Sequence, residues 1–368
     1  MTKFMRSALP FGHAKNWMLA AILICGASVL TSCSNEDNNG QQTKLNRSDY
    51  DEDRPVGWAE SVTGGEVGNT ITVTTPEDLK TALESAEKYT IYVRGQLRFN
   101  SLMTVKNASD KTVIGEPGSV LYNDIHSDVV EESGILLLEE CQNIVLRNLT
   151  FKSAGAYDID GYDNLALSKS QNIWVDHCDF LDGVDANFDI IEGSDLISVT
   201  WCRFRYLIPF WPGGPGGNER NQCSNLVGYD DKLAELDEGH LNVTFANCWW
   251  DEGCSERMPR MRFGNAHVFN CLYTCSDNLY CIGAGYKSNI YAEKNAFVNV
   301  NSPWMLWATK TDYTDYNITM TGNIGAPEIQ ERSGDADYFK PTYSYRAYDV
   351  QKVQEVVSNR DFGAGATL

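Results

Sequence analysis

Asn172-Ile-Trp-Val-Asp-His-Cys178-Asp-Phe180 is a run of β-formers that ends in an aromatic residue two places after a cysteine. The same pattern returns along the chain. It appears as Leu196-Ile-Ser-Val-Thr-Trp-Cys202-Arg-Phe204 and as Asn242-Val-Thr-Phe-Ala-Asn-Cys248-Trp-Trp250. It appears again as Asn265-Ala-His-Val-Phe-Asn-Cys271-Leu-Tyr273 and Asn289-Ile-Tyr-Ala-Glu-Lys-Asn295-Ala-Phe297, with Asn143-Ile-Val-Leu-Arg-Asn-Leu149-Thr-Phe151 as an earlier member. In the Leu149, Cys178, Cys202, Cys248, Cys271, Asn295 column the intervals are 29, 24, 46, 23 and 24 residues. The 46-residue interval is one unit plus an insertion rich in glycine and proline, Pro209 to Gly217. A short strand every ~23 residues, with irregular turns between, predicts a right-handed parallel β-helix. Stacking the coils about 4.8 Å apart would put equal positions into ladders. The expected ladders are the aromatic column Phe151, Phe180, Phe204, Trp250, Tyr273, Phe297 and the Cys/Asn column beside it. A β-sandwich is the rival, but its strands recur at ~8–12 residues and keep no such column.

Outward from the repeat, Thr75-Pro-Glu-Asp-Leu-Lys-Thr-Ala-Leu-Glu-Ser-Ala-Glu87 predicts a short amphipathic helix. Thr75 is its N-cap and Pro76 its first turn, and it is placed to cap the end of the stack. Tyr348 to Ser358 gives a second helical pattern near the C-terminus. The fold class expected is therefore all-β, a parallel β-helix over residues 54–368 with a capping helix before it and a helical segment after it.

The chain has 368 residues and a formal net charge of −20. So acidic a protein, with no basic stretch in view, would repel phosphate, which argues against a nucleic-acid partner. Lys3, Arg6 and Lys15 precede an apolar run from Trp17 to Leu30, as in an export signal, and the run is short for a membrane span. Leu30-Thr-Ser-Cys33 resembles a bacterial lipobox, so residues 1–32 read as a signal peptide and Cys33 as a lipidated mature N-terminus. A cleaved signal with a stray cysteine is the alternative. Residues 33–53 are polar, nearly free of aliphatics, and read as a flexible tether. An exported monomer, lipid-anchored at the outer membrane and touching it only through that anchor, is the expectation. Nine further cysteines lie in the body, an odd number that leaves at least one thiol free. Those of the ladder read as small buried apolar residues. No CxxC pair points to zinc.

Two clusters carry chemistry. Arg257, Arg260 and Arg262 crowd around Pro259 in Glu256-Arg-Met-Pro-Arg-Met-Arg-Phe-Gly264, and forked guanidinium groups grip carboxylates. Surface pairing with Glu256, Asp251 or Glu252 is the plainer alternative. Asp185 and Asp189 stand four apart, and Asp163 precedes Asp185 by 22 residues, about one coil. On an extended strand residues four apart are about 13 Å from each other, so the pair can share an ion only across a bend. Three carboxylates with water suit Ca²⁺, a hard ion that takes oxygen ligands. Solvated loop acids are the alternative.

Asn172-Ile-Trp-Val-Asp-His177, Asp189 to Trp201, and Arg257-Met-Pro-Arg-Met-Arg-Phe-Gly264 resemble three signature segments of the pectate lyase family (polysaccharide lyase family 1), in family order. Residues 63–122 are similar too. The resemblance implies a right-handed parallel β-helix and Ca²⁺-dependent β-elimination of polygalacturonate. It implies Asp163, Asp185 and Asp189 as metal ligands, Arg257 as the base and Arg262 as a holder of a substrate carboxylate. Arginine rarely loses its proton. The expectation is that Ca²⁺ acidifies the substrate proton and that nearby Arg262 disfavours a protonated Arg257. One departure stands out, because Cys223 occupies the place of a family substrate-binding lysine. Arg220, assigned here to substrate binding, or Lys232 could substitute, and the insertion with Trp211 could help build the cleft. The rival functions are a lyase for methyl-esterified pectin, a β-helix glycosidase using paired carboxylates with water, and a noncatalytic polysaccharide-binding protein or adhesin.

Overall fold

The computed structural model describes residues 45–218, 220–307, 314–333 and 337–368. The signal peptide, the lipobox and most of the tether lie outside the described residues. The chain winds as a stack of coils, eight of which contribute one strand to each of three sheets. One sheet has eleven strands and runs through Asn69–Val73, Tyr89–Val93, Ser109–Gly115 and onward to Ile329–Arg332. The other two have eight strands each. All pairings are parallel except the last in the long sheet, Tyr316–Thr321 with Ile329–Arg332. This is the parallel β-helix expected from the repeat.

The repeat sets the register. In Gln171–Asp176, Ile173 and Val175 face inward and align with Ile144 and Leu146 on the preceding coil and Ile197 and Val199 on the next. All six are fully buried, each contributing roughly 1.5–3 kcal/mol through removal of apolar surface from water. The aromatic ladder forms as expected, with Phe151, Phe180, Phe204, Trp250, Tyr273 and Phe297 in one register column. Their ring centroids are 5.0, 5.1, 5.5, 4.7 and 4.3 Å apart. The Cys/Asn column is also buried and bonded along the stack. The Cys248 amide donates to Cys271 Sγ (3.4 Å), and the Cys271 amide donates to Asn295 Oδ1 (2.8 Å). All nine body cysteines are free thiols and buried.

Each corner before a ladder residue is made by left-handed backbone. Asn148, His177, Trp201, Asn247, Asn270 and Lys294 all have φ between 46° and 56°. Asparagine tolerates this region; histidine and tryptophan adopt it at a cost that the surrounding packing must offset. At His177 a buried network does so. Asp176 accepts from His177 Nδ1 (2.8 Å), Arg147 Nε (2.8 Å) and Thr200 Oγ1 (2.6 Å), and Trp174 Nε1 donates to that same hydroxyl (2.7 Å). The Trp-Val-Asp-His motif is thus a cross-coil brace.

The N-terminal helix spans Pro76–Glu84, and Thr75 Oγ1 accepts from the Asp78 amide at 3.1 Å. Leu79, Ala82 and Leu83 close the end of the core. The C-terminal pattern resolves into a 3₁₀ turn, Val350–Lys352, and a one-turn helix, Val353–Val357, that packs on Leu272 and Ala296.

The tether expected over residues 33–53 is shorter than the sequence suggested. Residues 45–53 are docked on the body. Arg47 pairs with Asp51 (2.7 Å), Asp53 with Arg147, and the Tyr50 ring lies 5.1 Å from Tyr348. Polarity signals flexibility, but Asp53 and Tyr50 of this stretch find partners on the coils, in Arg147 and Tyr348. Among the described residues no helix is long and apolar enough to cross a membrane.

Candidate active site

The site forms on the outer face of one eight-stranded sheet, whose strands include Leu165–Ser168, Phe188–Ile191, Leu226–Val227, Arg260–Met261, Ile282–Ala284 and Trp304–Leu306. These strands are only two to four residues long. The irregular loops before them carry much of the chemistry.

Asp163 ends the loop before Leu165–Ser168, and its Oδ1 accepts from the Ala186 amide one coil on (3.0 Å). Asp185 lies in the bend before Phe188–Ile191 and accepts from Asn221 Nδ2 (3.1 Å). Asp189 is on that strand, and its Oδ1 accepts from the Leu226 amide (2.8 Å). The chain therefore bends between Asp185 and Asp189, as sharing an ion requires. Burial, followed by repulsion from Asp189 and Asp185, pushes the Asp163 carboxyl well above the usual carboxylate range. Burial also lifts Asp189 to about 7, against the pull of Arg257.

The donor set is all oxygen and its carboxylates repel one another, relieved in part by Arg257 and the Ala186 and Leu226 amides, and both features fit a hard divalent cation such as Ca²⁺. Among the described residues no three His, Cys, Asp or Glu side chains stand close enough to ligate an ion without adjustment. Adjustment here means drawing together carboxylates that repel one another in the absence of a cation.

Arg257 reaches the same cluster from two coils further on, past the Leu226–Val227 coil. Cys223 pairs with Glu256, whereas Leu226 pairs with Arg260, so the arginine strand carries one extra residue between those points. Arg257 is that bulge region, with φ 59°. Asn225 holds it from both sides, donating to the Arg257 carbonyl (2.6 Å) and accepting from the Arg260 amide (3.0 Å). Bulges re-aim side chains next to active sites. The peptide Met258-Pro259 is cis, and Met258 is buried while Arg257 stays partly exposed. Arg257 Nε has no hydrogen-bond partner. Surface pairing with Asp251 does not occur, because Asp251 is taken by Arg203 (3.0 Å) and Thr274 (2.7 Å).

The expected depression of Arg257 by Arg262 is corrected. Burial does pull its pKa down, but Cys223, Asp185 and Asp189 carry it well above the ordinary arginine value. The Cys223 thiol is itself pushed far up by burial and stays neutral, so the aspartates dominate. It is Arg260 that is lowered, to about 10, by burial and then by Arg262.

Arg262 is held rather than free. Its Nε donates to Asp231 Oδ1 (2.7 Å) and its Nη1 to the Gly228 carbonyl (2.9 Å). Asp231 belongs to the second part of the long insertion, after Leu226–Val227, and no motif marked it. Cys223 is buried and bonded to Asn221 (3.5 Å), so that position presents no cation. Arg220 lies next to Asn221 but pairs with exposed Asp277 (3.2 Å), at the rim of the site. Trp211, 40% exposed, is fixed by Nε1 to the Ala154 carbonyl (3.0 Å) and stacks near His126 (4.6 Å). The insertion that carries it is pinned by Asp158, which accepts from the Asn218 amide (2.6 Å).

A parallel β-helix bearing clustered carboxylates and arginines on one outer face defines a polysaccharide lyase of the β-helix class. The chain belongs to the pectate lyase family, whose model matches residues 52–366. It is 30% identical to the pectate lyase plyB of Emericella nidulans, over 77% of this chain and 80% of the relative. It is 32% identical to the pectate trisaccharide-lyase of Thermotoga maritima, over 65% of this chain and 61% of that protein. Among solved structures it resembles a Bacillus subtilis pectate lyase variant (TM-score 0.64, 18% identity, 84% of this chain and 96% of that one). The pectate lyase Bsp165PelA from Bacillus sp. N165, in complex with trigalacturonate, gives TM-score 0.64 at 19% identity, over 84% and 98% of the two chains. These neighbours are right-handed parallel β-helices, as this fold is.

Proposed function

We propose that the protein cleaves de-esterified pectin, α-1,4-polygalacturonate, by Ca²⁺-dependent β-elimination and releases 4,5-unsaturated oligogalacturonates. The observation that carries this reading is the meeting of Asp163, Asp185 and Asp189 with Arg257 on one face, with Asp231-held Arg262 on the same coil as Arg257. Asp163, Asp185 and Asp189 would hold the ion. When bound, Ca²⁺ supplies a Lewis acid that draws charge from the substrate carboxylate, acidifies the neighbouring C5 proton and neutralises the aspartates that otherwise keep Arg257 protonated.

In the fraction of molecules whose Arg257 has given its own proton to water, the neutral Arg257 takes the C5 proton. The electron pair forms the C4–C5 double bond, the C4–O bond breaks, and the leaving oxygen is protonated from water. Arg262 holds a substrate carboxylate, and Asp231 fixes its orientation. Arg220 and Trp211 would contact the chain at the rim. A methyl-esterified substrate would leave the cationic face without anions, which favours the de-esterified polymer.

Mass spectrometry of the products tests the reaction class. Elimination gives one fragment lighter by a water than hydrolysis would, and Asp189→Ala should lose most of this activity while keeping its circular dichroism spectrum. Saturated products would support a glycosidase instead. The protein is further read as an exported monomer, anchored at the outer membrane through Cys33, where the combined acyl chains of a lipoprotein give stable attachment. Cys33→Ser should then move it from the membrane fraction to the soluble fraction with the lyase intact. Unchanged membrane retention after a salt wash would exclude that anchor.

A further inference from the structure

The arginine cluster contains three cations, and the roles above use only two. Arg260 is the third. It stands in the register column that runs through Ala166, Asp189, Leu226, Arg260 and Gly283. A Cβ on Gly283 would lie 2.8 Å from Tyr280 Cε2 and 3.3 Å from Arg260 Cβ and Cγ, so the two side chains close over the same glycine. Trp307 packs against both. Its ring centroid is 4.1 Å from Arg260 Cζ and 5.5 Å from the Tyr280 ring.

This cluster is polar, buried and incomplete. Arg260 is 7% exposed, and its Nε has no hydrogen-bond partner. The Tyr280 hydroxyl is also buried without a partner. No acid pairs with Arg260 among the described residues; the nearby acid Asp231 is committed to Arg262. A guanidinium taken from water and left without an anion is costly, by several kcal/mol in general. Stacking on tryptophan offsets only part of that. Arg260 stays charged at neutral pH and faces repulsion from Arg262. A ligand that brings its own anion would relieve the cluster.

We propose that Arg260, supported by Trp307 and Tyr280, binds a second carboxylate of the acidic polysaccharide, at a subsite that extends the site from Arg257 toward the later coils. Arg260 thereby helps select de-esterified over methyl-esterified stretches, because a methyl ester offers it no anion. The inference rests on the acidic-polysaccharide reading given above.

The test uses the full-length protein carrying Arg257→Lys, so that binding is read without turnover, and follows tryptophan fluorescence against polygalacturonate and against highly methyl-esterified pectin. Adding Arg260→Gln should weaken polygalacturonate binding ~10–100-fold and change pectin binding by less than about threefold. Arg260→Lys should recover part of the loss. Tyr280→Phe keeps the ring over Gly283 and should weaken polygalacturonate binding by about three- to tenfold. Equal weakening toward both polymers, or none, would overturn the proposal, as would a loss explained by a fallen melting temperature in all three variants. If wild-type protein binds polygalacturonate but yields no unsaturated product, the lyase reading fails and this one stands. If it cleaves normally and Arg260→Gln binds as tightly, this one fails alone.

Discussion

Asp231 Oδ1 accepts from Arg262 Nε at 2.7 Å, and this ion pair joins an insertion loop to the arginine strand. Both side chains are largely buried, at 13% and 10% exposure, so solvent screening is modest. Asp231 at Nε and the Gly228 carbonyl at Nη1 together fix the plane of the guanidinium, so its charge is presented in one orientation. Asp231→Asn is therefore expected to lower kcat/KM on polygalacturonate by about tenfold or more, mainly through KM, as loss of a charge-assisted bond worth ~1.5–3 kcal/mol implies. Steady-state kinetics checks this, and an unchanged or increased kcat/KM would mean that Asp231 competes with substrate instead.

Arg257 sits on left-handed backbone in a bulge, facing the aspartates, with its Nε unpaired. Arg257→Lys keeps the charge and loses the fork and the basicity. Turnover should fall by ~10²–10⁴-fold, the usual worth of a general base, while substrate binding persists. Near-normal kcat in the lysine variant would remove Arg257 from the base role.

The metal-free site has a definite pH signature. Asp189 titrates near 7 and Asp163 well above its ordinary range, both chiefly through burial. In the unfolded chain these groups titrate near ~3.9. Between these values the native state binds more protons than the unfolded one, so their contribution to stability is present at low pH and declines as pH rises toward 7. Ca²⁺ competes with those protons. The rise in melting temperature on adding Ca²⁺ to chelator-treated protein should accordingly be larger at pH 8 than at pH 5. Equal shifts at both values would contradict the assignment of these carboxylates.

The ladder cysteines make a packing prediction. Cys178, Cys202, Cys248 and Cys271 are 0% exposed and in contact along the stack. They should resist thiol reagents in the native protein and react once it is denatured. Cys248→Asp would place a carboxylate between coils and cost several kcal/mol, or hold that group neutral. Native labelling of Cys248 at the rate of an exposed thiol would mean the register is wrong.

The long sheet and the aromatic ladder were legible because their residues repeat. Phe180, Phe204 and Trp250 must fill equal space in equal coils, so the sequence keeps a column there. The site sheet was not legible. Its strands, such as Leu226–Val227 and Arg260–Met261, are two residues long and lie between loops of unequal length, so no period survives. Asp163, Asp185, Asp189, Arg257 and Arg262 could be named from spacing and resemblance. Asp231, Arg260 with Tyr280, and the taming of Arg262 could not, because each depends on which side chain an irregular loop brings to the sheet. The sign of the field at Arg257 depends on the same loops, since Asp185 and Asp189 outweigh Arg262 there.

The central claim is Ca²⁺-dependent elimination at this face, and one absorbance measurement tests it. Purified protein is stripped with EGTA, mixed with polygalacturonate, and followed in the ultraviolet band of the unsaturated uronate before and after Ca²⁺ is restored in excess. The account predicts no rise without Ca²⁺, a steady rise once it is added, and no such rise with Asp189→Ala. A full rate in exhaustively chelated protein, or no unsaturated product with Ca²⁺ present, would contradict it.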